Sequence, residues 1–90
     1  MSQVIVYSKA VCPYCDWAKQ LLDNKKIAYQ EIRIDLDPEQ AAEMIRLSGR
    51  RTVPQIFIDG KPIGGFDDLS QLAKTGELDK LLSSSASSKS

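Results

Sequence analysis

Ninety residues are enough for one compact domain and too few for two. Twelve basic residues balance twelve acidic ones and 42% of the chain is hydrophobic, so bulk charge gives no reason to expect a nucleic-acid or membrane-surface partner. The longest apolar run near the N-terminus covers only positions 4–7, too short for a signal segment or a membrane span. The reading is of a cytoplasmic protein, where structural disulfides are rare and transient redox disulfides are the usual kind.

In chain order, "QVIVYS" is β-branched and apolar and predicts a buried strand. From Pro13 to about Lys25, Tyr14, Trp17, Ala18, Leu21 and Leu22 fall at helical spacing, with Trp17 read as packing. "IAYQEIRID" predicts a second strand through Ile27, Tyr29, Ile32 and Ile34. Asp37-Pro38 opens the next helix, with Asp37 as cap, Pro38 in the first turn and Gln40 at the capping-box position. Ala41, Met44, Ile45 and Leu47 form its expected buried stripe, and Gly49 stops it. "PQIFID" predicts a third strand, Asp59-Gly60 a two-residue hairpin turn, and positions 61–64 a short return strand. A helix starting at Phe66 or Asp67 carries Leu69, Leu72 and Ala73 to Gly76, and Leu78, Leu81 and Leu82 suggest a last short one. The order β-α-β-α-β-β-α predicts an α/β domain: a small four-stranded mixed sheet flanked by helices, with a parallel pair from the β-α-β start and an antiparallel pair from the hairpin. The domain is expected over 1–82, with the serine-rich 83–90 as a disordered tail.

Both cysteines, Cys12 and Cys15, stand in "KAVCPYCDWAK". A structural zinc site needs four protein ligands, and a chain with two cysteines and no histidine does not supply them; no metal is expected. An iron–sulfur cluster shared between two chains escapes that count and stays open. As a structural staple the pair closes almost no loop, where cross-linking contributes least. C-x-x-C between a strand and a helix in a β-α-β unit is instead the redox arrangement. It places Cys12 at a helix N-terminus, where unpaired N–H groups and the helix dipole favour a thiolate, with Cys15 one turn further in. Cys12 is then the nucleophile and Cys15 the resolving thiol, and Pro13 stiffens the backbone between them. Lys9 is open to two readings, a cation that lowers the thiol pKa or meets a carboxylate, and an ordinary solvated lysine. Tyr14 is likewise a substrate contact or a core residue.

"YSKAVCPYC", followed by "TVPQIFIDG" and "GGFDDL", resembles the dithiol glutaredoxins, most of all those of the bacterial glutaredoxin 3 type, over nearly the whole chain. The resemblance implies a thioredoxin-like fold and a glutathione site. It implies a cis Pro54 facing the cysteine pair, so that the Val53 backbone pairs with glutathione as an added strand does, with Thr52 beside it and Gln55 as a further contact. It implies that Gly65, Phe66, Asp67 and Asp68 carry the γ-glutamyl end, the N–H groups of Phe66 and Asp67 binding its carboxylate and Asp68 its ammonium. Lys9 and Arg51 are expected at the glycine carboxylate. Phe66 stands in a slot that varies within the family.

The implied activity is glutathione-dependent thiol–disulfide exchange on glutathione mixed disulfides and protein disulfides, by a monomer with glutathione as co-substrate and no nucleic-acid or membrane partner. Two other readings are a glutathione-ligated [2Fe–2S] dimer and a thioredoxin-like reductant fed by a flavoprotein reductase. The Gly-Gly-Phe-Asp-Asp segment argues against the second, and the stiff Pro13 loop against the first.

Overall fold

The computed structural model of the chain describes residues 3–87, with side chains described over 3–82. Its elements follow the expected order: β1 (Val4–Ser8), α1 (Pro13–Asn24), β2 (Gln30–Arg33), α2 (Pro38–Ser48), β3 (Gln55–Ile58), β4 (Lys61–Gly64), α3 (Phe66–Thr75) and α4 (Glu77–Ser87). The sheet order is β2-β1-β3-β4. β1 runs parallel to β2 in the register Ile5 to Gln30, while β1 with β3 and β3 with β4 are antiparallel.

The alternation of side chains along the two central strands divides the core into two layers. Val4, Val6, Ile56 and Ile58 face Ala18 and Leu22 of α1, Leu69 of α3 and Leu78 of α4. Tyr7 and Phe57 point the other way, onto Met44 of α2, with their rings edge to face at 5.4 Å. Helices therefore cover both faces, and every residue of β3 is buried. Ile56, Phe57 and Ile58 are apolar in succession for that reason, not alternating.

Local signals set the boundaries. Asp37 caps α2, its carboxylate accepting the N–H groups of Glu39 at 3.1 Å and Gln40 at 3.3 Å, and Gly49 ends it in a left-handed conformation. Asp59 and Gly60 both take positive φ, as a two-residue hairpin turn requires. Three expectations are corrected. β2 begins at Gln30, not Ile27, because pairing with β1 starts at Ile5. Leu47 is exposed, at the edge of the stripe that buries Met44. Tyr14 and Trp17 share the helical spacing of α1 yet are 55% and 49% exposed, lying toward the N-terminal end of the helix, beyond the sheet. The backbone of α4 continues to Ser87, into the serine-rich stretch expected as tail, since nothing between Glu77 and Ser87 is a glycine or proline; positions 88–90 lie outside the described residues. Among the described residues no helix is long and apolar enough to cross a membrane.

Candidate active site

The loop after β1 delivers the cysteines to the start of α1. Cys12 is the N-cap in extended conformation and Pro13 occupies the first turn, where its missing N–H has no intrahelical role. The Cys15 N–H donates to the Cys12 sulfur at 3.1 Å, the position a capping oxygen usually holds. The two sulfurs are joined in a disulfide. Cys12 is 8% exposed and Cys15 1%. Only Cys12 can therefore be reached from outside, which gives the pair the asymmetry expected of an attacking and a resolving thiol. In the reduced state the same N–H, together with the helix dipole, favours a thiolate on Cys12.

The peptide bond between Val53 and Pro54 is cis, and the Val53 carbonyl oxygen lies 3.9 Å from the Cys12 sulfur. Pro54 is buried, and the main chain at Thr52 is held by Gln55. The Gln55 side-chain amide donates to the Thr52 carbonyl at 3.0 Å and the Thr52 hydroxyl at 3.2 Å. Gln55 is 1% exposed, and its side-chain oxygen has no partner. The opposite wall is the entry to α3. A Cβ on Gly65 would lie 3.4 Å from the Pro54 carbonyl oxygen, so the two walls approach closely there.

Between them runs a groove of about 300 Å³. It brings together Tyr14, Thr52, Val53, Pro54, Gln55, Gly65, Phe66, Asp67 and Asp68, all expected at the site from sequence. Lys9 and Arg51 are not among its lining residues; both are exposed. Arg50, which sequence reasoning did not name as a ligand contact, lines the groove. Its guanidinium pairs with the Asp68 carboxylate at 3.4 Å, and the same carboxylate oxygen accepts the Gly65 N–H at 3.1 Å. Sequence reasoning named Arg51, whereas it is Arg50 that the structure turns to the groove. That choice is made after Gly49, where the Ser48 hydroxyl accepts the Arg50 N–H at 3.1 Å and donates to the Met44 carbonyl at 2.7 Å.

Tyr14 and Phe66 line one wall of the groove, and Trp17 stands behind them, outside its lining. The rings of Tyr14 and Trp17 meet edge to face at 5.0 Å, and Phe66 closes the triangle at 6.2 Å from Tyr14 and 5.8 Å from Trp17. The groove thus offers an exposed main chain before a cis proline, a helix N-terminus, and one cation beside two carboxylates, with the Cys12 sulfur 3.9 Å from the Val53 carbonyl oxygen. Such a lining suits a small zwitterionic peptide that reaches the sulfur through its own thiol.

Comparison with known proteins agrees. A family model described as Glutaredoxin matches residues 4–63. The chain is 52% identical over 82 residues to glutaredoxin 3 of Escherichia coli strain K12, covering 91% of this chain and 99% of that protein. It is 51% identical over 83 residues to a glutaredoxin of Pseudomonas aeruginosa, covering 92% and 99%. Among solved structures, the buckwheat glutaredoxin–glutathione complex superposes with a TM-score of 0.83 at 35% identity, over 92% of this chain and 78% of that one. The glutaredoxin of Brucella melitensis does so with a TM-score of 0.78 at 49% identity, over 89% and 87%. The four-stranded mixed sheet with its flanking helices is the thioredoxin-like fold of these proteins.

Proposed function

The chain belongs to the glutaredoxin family, a glutathione-dependent thiol–disulfide oxidoreductase, and from that premise we propose how its groove and dithiol divide the work. One observation carries the reading: Cys12, the more exposed of the two cysteines, sits at the N-cap of α1 with its sulfur beside the Val53 carbonyl that precedes the cis proline.

On a glutathione mixed disulfide, the Cys12 thiolate attacks the glutathionyl sulfur. A Cys12–glutathione disulfide forms, the old bond breaks, and the substrate sulfur leaves as a thiolate that takes up a proton. A second glutathione attacks the glutathionyl sulfur on Cys12, giving oxidised glutathione and restoring the thiolate. On a protein disulfide, Cys12 forms the mixed disulfide with the protein and Cys15 displaces it, producing the Cys12–Cys15 disulfide, which glutathione then reduces.

In this reading the Val53 main chain aligns the glutathione backbone, with Thr52 and Pro54 shaping the turn and Gln55 fixing it from below. The N–H groups of Phe66 and Asp67 at the start of α3 receive the γ-glutamyl carboxylate, Gly65 allows the close approach, and Asp68 takes the ammonium. Tyr14 packs along the ligand. Arg50 supplies a cation beside Asp68 at the γ-glutamyl end, while Lys9 and Arg51 serve as outer cations toward the glycine carboxylate.

The chain works as a monomer on glutathionylated or disulfide-containing proteins, with no metal, nucleic acid or membrane, in the cytoplasm, where a glutathione pool keeps dithiols reduced. The domain is taken as 1–82, with Leu78, Leu81 and Leu82 joining the core among the described side chains. The observations favour neither the cluster-bridged dimer nor the reductase-fed reductant. The test is turnover of the glutathione–mercaptoethanol mixed disulfide: Cys15→Ser keeps it and Cys12→Ser abolishes it. Turnover by Cys12→Ser would overturn the assignment.

A further inference from the structure

Behind the aromatic wall lies a second, shallower hollow of about 440 Å³, lined by Trp17, Gln20, Leu21, Asn24, Lys25 and Phe66. Phe66 lines both hollows, so the second adjoins the glutathione groove with the Tyr14–Trp17–Phe66 triangle between them. Its floor is apolar, and its one charged lining residue, Lys25, pairs with Asp79 at 3.6 Å. Trp17 is half-exposed at the edge, with its ring held by Tyr14 and Phe66. A half-exposed tryptophan, preoriented by aromatic neighbours, has the composition and rigidity of an interface hot spot. Turnover of glutathione alone gives it nothing to do.

We propose that this hollow is a docking subsite for the polypeptide of a disulfide substrate, and that Trp17 selects a large, uncharged apolar side chain next to the substrate cysteine. The proposal rests on the reading of Cys12 as the attacking thiol. A substrate sulfur bonded to Cys12 brings its own chain over the rim of the active site, where the Tyr14–Trp17–Phe66 triangle joins the two hollows. With Lys25 already paired, the hollow offers apolar contact and no free charge. The chemistry is that of dithiol exchange: the Cys12–substrate bond forms as the substrate disulfide breaks, and the departing sulfur takes a proton. Cys15 then displaces the substrate, so two electrons pass from the enzyme dithiol to the substrate.

The test uses two disulfide-bridged peptides that differ only in the residue after the reacting cysteine, phenylalanine or glycine, with glutathione, glutathione reductase and NADPH. The glutathione–mercaptoethanol mixed disulfide serves as reference. The phenylalanine peptide is expected to show about tenfold higher kcat/KM. Trp17→Ala is expected to erase that preference while holding the reference within about twofold, and Trp17→Phe to restore most of it. A second readout needs no Trp17 variant. Trp17 is the sole tryptophan, so its emission in the Cys15→Ser protein trapped as a Cys12–peptide disulfide should shift to shorter wavelength with the phenylalanine peptide and not with the glycine peptide. Equal rates for the two peptides, a preference that survives Trp17→Ala, or unchanged emission in the trapped species overturns the subsite. If the reference itself is not turned over, the activity reading fails and the subsite with it; turnover of the reference without a peptide preference fails the subsite alone.

Discussion

Arg50 reaches from the loop after α2 to Asp68 in the first turn of α3, its guanidinium 3.4 Å from a carboxylate oxygen that also accepts the Gly65 N–H at 3.1 Å. Two segments far apart in sequence are thereby linked along the edge of one groove. The carboxylate assigned to the ligand ammonium also faces Arg50 and the Gly65 N–H. An exposed pair of this kind is worth little to folding, so its consequence is felt at the ligand.

Arg50→Ala should therefore raise the KM for a small glutathione mixed disulfide by about fivefold, or ~1 kcal/mol, the size of a charge-assisted contact partly screened by solvent. Arg51→Ala should leave it within about twofold. Steady-state kinetics on the two variants check this. A larger effect from Arg51 would return the cation role to the residue favoured by sequence.

Gly64 ends β4 with a φ of +122°, a region L side chains rarely enter. A Cβ there would collide with the Asp68 carboxylate. Gly64→Ala should cost about 2–3 kcal/mol in urea unfolding, combining backbone strain with displacement of the α3 cap. It should also weaken glutathione turnover, because Asp68 has to move.

The loop that carries Cys12 holds one residue in an unfavourable conformation. Val11 has a φ of +53° and is 95% exposed, so a β-branched side chain adopts the left-handed region with no packing to offset it. Val11→Asn should raise the urea midpoint by an amount equivalent to about 1 kcal/mol, since asparagine tolerates that conformation. An unchanged or lower midpoint would contradict the left-handed assignment.

How much was legible follows from how local each signal is. The caps of α2, the Asp59-Gly60 turn and the strand-to-helix position of Cys12 depend on a few neighbouring residues, and each appears as expected. Tyr14 and Trp17 could not be placed from periodicity. Helical spacing defines a face, but the point where the sheet ends and that face meets solvent is set by tertiary packing. Arg50 at the groove was missed for a similar reason, because the Ser48 hydrogen bonds that orient the loop depend on how α2 ends. Lys9 precedes the motif by three positions, yet spacing does not say where a long flexible side chain points. The run from Ile27 to Ile34 looked like one strand, and only pairing with β1 confined it to Gln30–Arg33.

A buried hydroxyl beside β2 gives a pH-dependent test. Ser8 is fully buried and donates to the Glu31 carboxylate at 2.5 Å, and Lys19 donates to the same oxygen at 2.9 Å. The Lys19 ammonium first, and then the Ser8 hydroxyl, hold the Glu31 carboxyl below its usual 4.5. A lowered carboxylate value means stability that is fully present above the ordinary value and is lost as the pH falls through the lowered one. Glu31→Gln should thus cost about 1 kcal/mol near neutrality, a modest figure because the site is partly exposed. The two stability curves should converge as the pH drops through the acid range, as chemical denaturation across pH would reveal.

The central claim is that Cys12 alone attacks and Cys15 only resolves, and the Cys15→Ser protein tests it most directly. The measurement is turnover of the glutathione–mercaptoethanol mixed disulfide beside turnover of a peptide disulfide. Retained activity on the first and loss of most activity on the second is the predicted result. Loss of both, or retention of both, would contradict it.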